Sequence, residues 1–154
     1  MRYKITAPYQ INTSIHLPAS KSISNRALVI SAMAHDASGE TLILPSNLSN
    51  CDDTEVIVNA LMDMPEIIDI KAAGTAMRFM TAYLSLKAGE THTLTGTERM
   101  QHRPIKILVD GLRKLGANIE YVKEEGYPPL RIRGERLKGG KLEIPGNVSS
   151  QYIS

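Results

Sequence analysis

One pattern constrains this chain more than any other, and it occurs three times. A strand or strand end runs through a turn of small residues into a helix, at "PASKS" (18–22), "AAGTA" (72–76) and "PGNVSSQ" (145–151). The first two are followed by a strand, a polar loop and a second helix, through "LILPSNLSNCDD" and "LTGTERMQHRP". The third meets the end of the sequence at Ser154. A βαβα-type unit repeated about two and a half times restricts the fold class to α/β or α+β.

The local signals fill in this frame. "YKITAP", "TSIHLP", "ETLILP", "EIIDI", "THTLTG", "ANIEYV", "LRIRG" and "KLEIP" read as strands from their alternation and closing turn residues. Between Met62 and Ala73 the run is short, which predicts one strand there rather than a hairpin. Ser22–Ala34 reads as a helix capped by Ser20 or Ser22, and Asp52–Met62 as one whose Asp52, Asp53 and Glu55 match the positive end of its dipole. Gly74–Leu86 is a third helix. Pro104–Leu115 is a fourth, with proline at its first position and Ile105, Leu108, Val109 and Leu112 as its buried stripe. Another helix starts at Val148. "ALVISAMA" (27–34) carries no charge on any face, and Gly74–Leu86 carries only Arg78. Helices apolar all round belong in an interior, which predicts helices inside and sheets outside.

Composition closes off several function classes. With 154 residues, 42% hydrophobic and 22% charged, the chain is long enough for one sizeable core and is not of disordered type. A net charge of +2 gives no field suited to nucleic acid or a membrane surface. A single cysteine, Cys51, excludes an internal disulfide framework. With no apolar run of signal-peptide or membrane-span length, the expectation is a soluble cytoplasmic protein. The distribution of charge says more than its sum. No Asp or Glu occurs from Met1 to His35 or from Ile70 to Gly89, while Arg99, His102, Arg103 and Lys106 crowd into "RMQHRPIK". Positive pockets on a nearly neutral chain point to small anionic ligands.

Helix starts framed by small residues are anion sites by construction, because free N–H groups and the dipole both favour negative charge there. "SKSISNR" adds the Lys21 ammonium, the Ser22 hydroxyl and the Arg26 guanidinium, with Ser22 and Arg26 four apart on one face. As exposed cations at a helix start, Lys21 and Arg26 each cost roughly 0.3–1 kcal/mol without a ligand. Each candidate also has a plain reading. Lys21 and Arg26 are solvated cations, Gly74 eases packing, Arg103 forms a surface salt bridge, and one of Ser149, Ser150 and Gln151 caps a helix. Asp52 and Asp53 beside Cys51 have no His or Cys at metal-ligand spacing, and no phosphate-binding Gly-x4-Gly-Lys loop or Ser-His-Asp arrangement is present.

"LPASKSISNRAL", "CDDTEVIVNAL", "AGTAMRF", "LTGTERMQHRPIKILVDGLRKLGA", "YPPLRIRG" and "GNVSSQYIS" occur in the order and character of one family. Nearly the whole chain resembles the first part of 5-enolpyruvylshikimate-3-phosphate synthase, also called 3-phosphoshikimate 1-carboxyvinyltransferase. UDP-N-acetylglucosamine enolpyruvyl transferase shares the architecture but has Lys-Asn where this chain has Lys21-Ser22. An anion-binding module without catalysis is the further alternative. The resemblance implies an inside-out, barrel-like α/β domain of repeated βαβαββ units, helices buried and sheets outside. Residues 1–154 would then be the N-terminal portion of a two-domain enzyme, with about two complete units, the start of a third, and the second domain not in this chain.

The implied reaction moves the enolpyruvyl group of phosphoenolpyruvate to the 5-hydroxyl of shikimate 3-phosphate and releases phosphate. It proceeds by addition and elimination, without metal or organic cofactor. By the same resemblance Lys21 contacts both substrates. Ser22, Arg26, Ser149, Ser150 and Gln151 hold shikimate 3-phosphate. Gly74 and Arg103 flank phosphoenolpyruvate, with Gln151 nearby, and glyphosate binds at the glycine. Two departures alter that pocket: Ala72 and Phe79 stand where the family commonly has Asn and Pro. The family's acid–base carboxylates lie in the later part of its chain, so these residues alone are expected to be inert.

Overall fold

In a computed structural model describing residues 2–145 and 147–153, without the Ser150 side chain, ten elements follow one another. They are α1 (Lys21–Ser38), α2 (Asp52–Asp63), β1 (Ile67–Asp69), α3 (Gly74–Ser85), β2 (Thr91–Thr95), α4 (Glu98–Gln101), α5 (Lys106–Lys114), β3 (Asn118–Tyr121), β4 (Leu130–Arg133) and a 3-10 turn, Ser150–Tyr152. The strands form one open sheet in the order β1-β2-β4-β3. β1 and β2 are parallel and joined through α3, as parallel neighbours require a crossover. β4 lies antiparallel to both β2 and β3. Residues 67–133 therefore trace βαβαββ once in full, and the α/β class read from the sequence holds.

Strand alternation assigns the two sheet faces. Ile68, Leu94, Ile119, Leu130 and Ile132 are buried, while Thr91, Arg131, Arg133 and Glu120 alternate with them on the outer face. The inner face receives α3, ten of whose twelve residues are buried. A helix with this many polar side chains stays buried because they bond back to its own carbonyl oxygens: Arg78 to Gly74 (2.8 Å), Thr81 to Met77 (2.6 Å) and Ser85 to Thr81 (2.7 Å). Each fully buried Met or Leu of this core, such as Met80 and Leu84, contributes roughly 1.5–3 kcal/mol.

α1 and α2 pack on α3 and are tied to each other at their starts. The Thr54 hydroxyl donates to the side-chain Oδ1 of the buried Asn25 (2.8 Å), and the Ser49 N–H donates to the Ser24 hydroxyl (2.8 Å). At the other end of α1, Lys87 pairs with Asp36 (2.9 Å), and burial together with the Asp36 carboxylate pushes the Tyr83 phenol up to about 12. α1 runs from its Ser20 cap to Gly39, which takes the left-handed conformation at φ 70°. Only its Ser24, Asn25, Leu28 and Ala32 are buried, so the expectation of an interior helix holds for one face; Ile23 and Ile30 on the other are 70% and 66% exposed.

Four strand assignments do not survive. Among the described residues, no strand forms at 3–8, 13–18, 40–45 or 141–145, and Ile5 is 92% exposed. Alternation makes a segment fit for a sheet but does not supply a neighbour, and neither free edge, β1 or β3, takes one of these segments. Residues 63–72 hold the single strand expected. α5 starts at Lys106 rather than Pro104, because Ile105 is its cap at φ −133°, outside the helical range, with its N–H on the Gly126 carbonyl (2.9 Å). α4, too short for a periodic signal, was not anticipated. The helix expected from Val148 is the three-residue turn at Ser150–Tyr152.

Amide hydrogen exchange on the 154-residue chain checks these corrections. Protection should be highest in Met77–Leu84, Leu94 and Ile132 and absent through 3–19. Protected amides alternating along 3–8 would restore the missing strand.

Candidate functional site: three helix starts and an open guanidinium

The start of α1 answers the question of its cations. The Lys21 ammonium lies 3.2 Å from the Asp53 carboxylate, which α2 presents from its own first turn. One acid thus serves two helix starts, offsetting the unfavourable lysine while sitting where its own helix favours it. Arg26 turns back along α1, donating Nη1 to the Ser22 hydroxyl (2.6 Å) and carbonyl (3.0 Å), and its Cζ lies 5.3 Å from the Phe79 ring centroid. Beside them, burial pushes the Cys51 thiol up, but hydrogen bonds from Ser49 and Thr54 outweigh it and leave the group below its ordinary value.

At the start of α3, Gly74 and Arg103 meet. A Cβ on Gly74 would lie 2.9 Å from the Arg103 Cζ and would collide with Nη1, so the guanidinium rests on the bare glycine. Arg103 has no hydrogen-bond or ionic partner for its side chain among the described residues, and its neighbour Arg99 has none either. Both line a cavity of about 390 Å³ with Ala72 and Met100. Gln151 reaches the same helix start, donating Nε2 to the Thr75 hydroxyl (2.8 Å). The Ser149 hydroxyl accepts from the Gln151 N–H (3.3 Å), a local turn bond. The Ser150 side chain lies outside the described residues.

A second cavity, also about 390 Å³, runs between α1, α3 and α5 and is mostly apolar, with Arg26, Arg78 and Gln151 as its polar lining. The predicted residues therefore gather into two groups. Arg26 and Gln151 share this groove, whereas Arg103, whose guanidinium lies over Gly74, lines the basic cavity; Lys21 lines neither and is held by Asp53. No group of three or more His, Cys, Asp or Glu residues placed to hold a metal occurs among the described residues. Sequence reasoning did not assign Asp53 or Tyr152 to the site. Asp53 read as a helix-start acid, and the signal that it faces Lys21 is visible only once α1 and α2 are packed.

A mixed βαβαββ sheet with cations and a glycine at its helix starts defines an α/β unit, and comparison with known proteins narrows that class. The family profile "EPSP synthase (3-phosphoshikimate 1-carboxyvinyltransferase)" matches residues 61–154. The 3-phosphoshikimate 1-carboxyvinyltransferase of Bacteroides fragilis is 62% identical over 154 residues, covering all of this chain and 36% of that protein. That of Mannheimia haemolytica is 40% identical over 178 residues, covering 97% of this chain and 40% of the relative. An EPSP synthase structure from Acinetobacter baumannii superposes with a TM-score of 0.74 at 23% identity, covering 90% of this chain and 36% of that one, which establishes the common fold. The chain belongs to the EPSP synthase family. It spans about a third of the length of the Bacteroides relative it matches. An alignment of 178 positions to a 154-residue chain requires extra residues in the Mannheimia protein.

Gly74→Ala tests the glycine–guanidinium contact. The far end of Arg103 yields more easily than backbone, so the melting midpoint should hold or rise, since alanine at a compatible site adds about 0.4–1 kcal/mol. The Arg103 Nε–H resonance should move. A midpoint lowered by several degrees with that resonance unchanged would show that the helix start yields instead.

Proposed function

We propose that this chain supplies part of the substrate site of a 3-phosphoshikimate 1-carboxyvinyltransferase, an enzyme of the shikimate pathway to chorismate and the aromatic amino acids. The protein transfers the enolpyruvyl group of phosphoenolpyruvate to the 5-hydroxyl of shikimate 3-phosphate and releases phosphate. The observation that carries the reading is the Arg103 guanidinium resting on Gly74 at the start of α3, without a partner among the described residues, in a chain of this family. Both substrates bear phosphate and carboxylate groups, and a guanidinium held open beside a helix start is suited to such a group.

In this reading Gly74 and Arg103 take phosphoenolpyruvate, and glyphosate when present. Ser22, Arg26, Ser149, Ser150 and Gln151 take shikimate 3-phosphate, with Gln151 also reaching toward the second substrate through its place beside Thr75. Lys21 serves both. Its ammonium has three donors and uses one on Asp53, so two are left for ligand oxygens. Fixed cations at the place where phosphate departs stabilise charge developing on the leaving group without reorganising. The acid–base carboxylates and the opposing wall of the cleft belong to the second domain, so the 154-residue chain alone is inert. The working complex holds no metal or organic cofactor and engages neither nucleic acid nor membrane. The protein acts in the cytoplasm; no helix among the described residues is long and apolar enough to cross a membrane.

Phosphate release by the full-length protein tests the reading. Release should require both substrates together, and Lys21→Ala should lower kcat/KM by about a hundredfold or more, the scale expected for a lost charge contact in the transition state. No release with both substrates present, or equal rates in the variant, would contradict it.

A further inference from the structure

Arg103 makes no side-chain hydrogen bond among the described residues, yet its guanidinium is placed over Gly74. An arginine side chain carries about 2 kcal/mol of rotamer freedom, so the placement of its backbone sets which positions the guanidinium can reach. That backbone is pinned on both sides. The Arg103 N–H donates to the Met100 carbonyl (3.0 Å), and the Tyr152 hydroxyl donates to the carbonyl of Pro104 (3.0 Å), the next residue along.

Tyr152 does a second thing at the same place. Its ring faces the Arg78 guanidinium, with Cζ 5.4 Å from the centroid. Arg78 is 7% exposed, donates Nη1 to the Gly74 carbonyl (2.8 Å) and leaves its buried Nε without a partner. A leucine at 78 would pack without that unmet donor, so the guanidinium's contribution lies in what it holds. The contacts close a ring: Tyr152 to Pro104, Arg103 to Gly74, Gly74 to Arg78, Arg78 back to Tyr152.

We infer that Tyr152 is a positioning residue for the anion subsite at Arg103, aligning the 103–104 backbone and, through Arg78, the first turn of α3 that carries Gly74. The inference rests on the reading that Arg103 takes phosphoenolpyruvate, and it adds a residue that touches neither substrate. Arg78, Arg99 and Arg103 have no acidic partner among the described residues. Arg99 and Arg103 line one cavity together, and an anion there would neutralise both. Such preorganisation lowers the ordering needed on binding.

Tyr152→Phe in the full-length protein removes the hydroxyl and keeps the ring. The KM for phosphoenolpyruvate should rise about three- to tenfold, the scale of one hydrogen bond. kcat, the KM for shikimate 3-phosphate and the melting midpoint should stay where they are. Arg78→Lys, which keeps the charge and loses the fork, should move the same parameter in the same direction. An unchanged phosphoenolpyruvate KM, or one that rises together with the other substrate's KM while kcat and the midpoint fall, overturns the inference. A wild-type protein without turnover would instead refute the functional reading. The Arg103 Nε–H resonance then decides the inference by itself: a shift in Tyr152→Phe supports it, and an identical spectrum overturns it.

Discussion

The burial of α3 is the constraint on which the rest of the structure depends. The sheet's inner face takes one side of the helix and α1 with α2 take another, so its axis has no freedom to tilt. Arg78, Thr81 and Ser85 inside it each donate to one of its own carbonyl oxygens. A helix fixed this way presents its first turn at a fixed place. Gly74, Thr75 and, through Phe79, Arg26 are all located relative to it.

Three cations near helix starts are accommodated in three ways. Lys21 leans on an acid from the neighbouring helix, Arg26 bonds its own turn and stacks on a ring, and Arg103 lies over a glycine. The Phe79 ring forms the floor beneath Arg26. Ala72 lines the basic cavity without a polar side chain.

The helices were legible because their start signals are local: Ser20 before α1, the acids opening α2, Gly74 opening α3; α1 runs on past the expected Ala34 to Ser38, where Gly39 ends it. The βαβαββ order was legible because β1, β2, β3 and β4 find each other within one continuous stretch. The segments at 3–8, 13–18, 40–45 and 141–145 alternate equally well, and nothing within them says whether an edge awaits. In the site, Ser22 with Arg26 followed from helical spacing alone. The Lys21–Asp53 pair and the Tyr152–Pro104 bond join residues 32 and 48 apart, and only packing discloses them. Gly74 against Arg103 lies between: each residue carried a signal, and their contact carried none.

The central claim is that the starts of α1 and α3 are anion sites set in place before any ligand arrives. Titrating the isotope-labelled chain with inorganic phosphate tests it most directly. The account predicts saturable shifts at the amides of Gly74, Thr75 and Ser22 and at the Arg103 Nε–H. Shifts spread over surface lysines such as Lys114, Lys138 and Lys141, with those four signals unmoved, would contradict it.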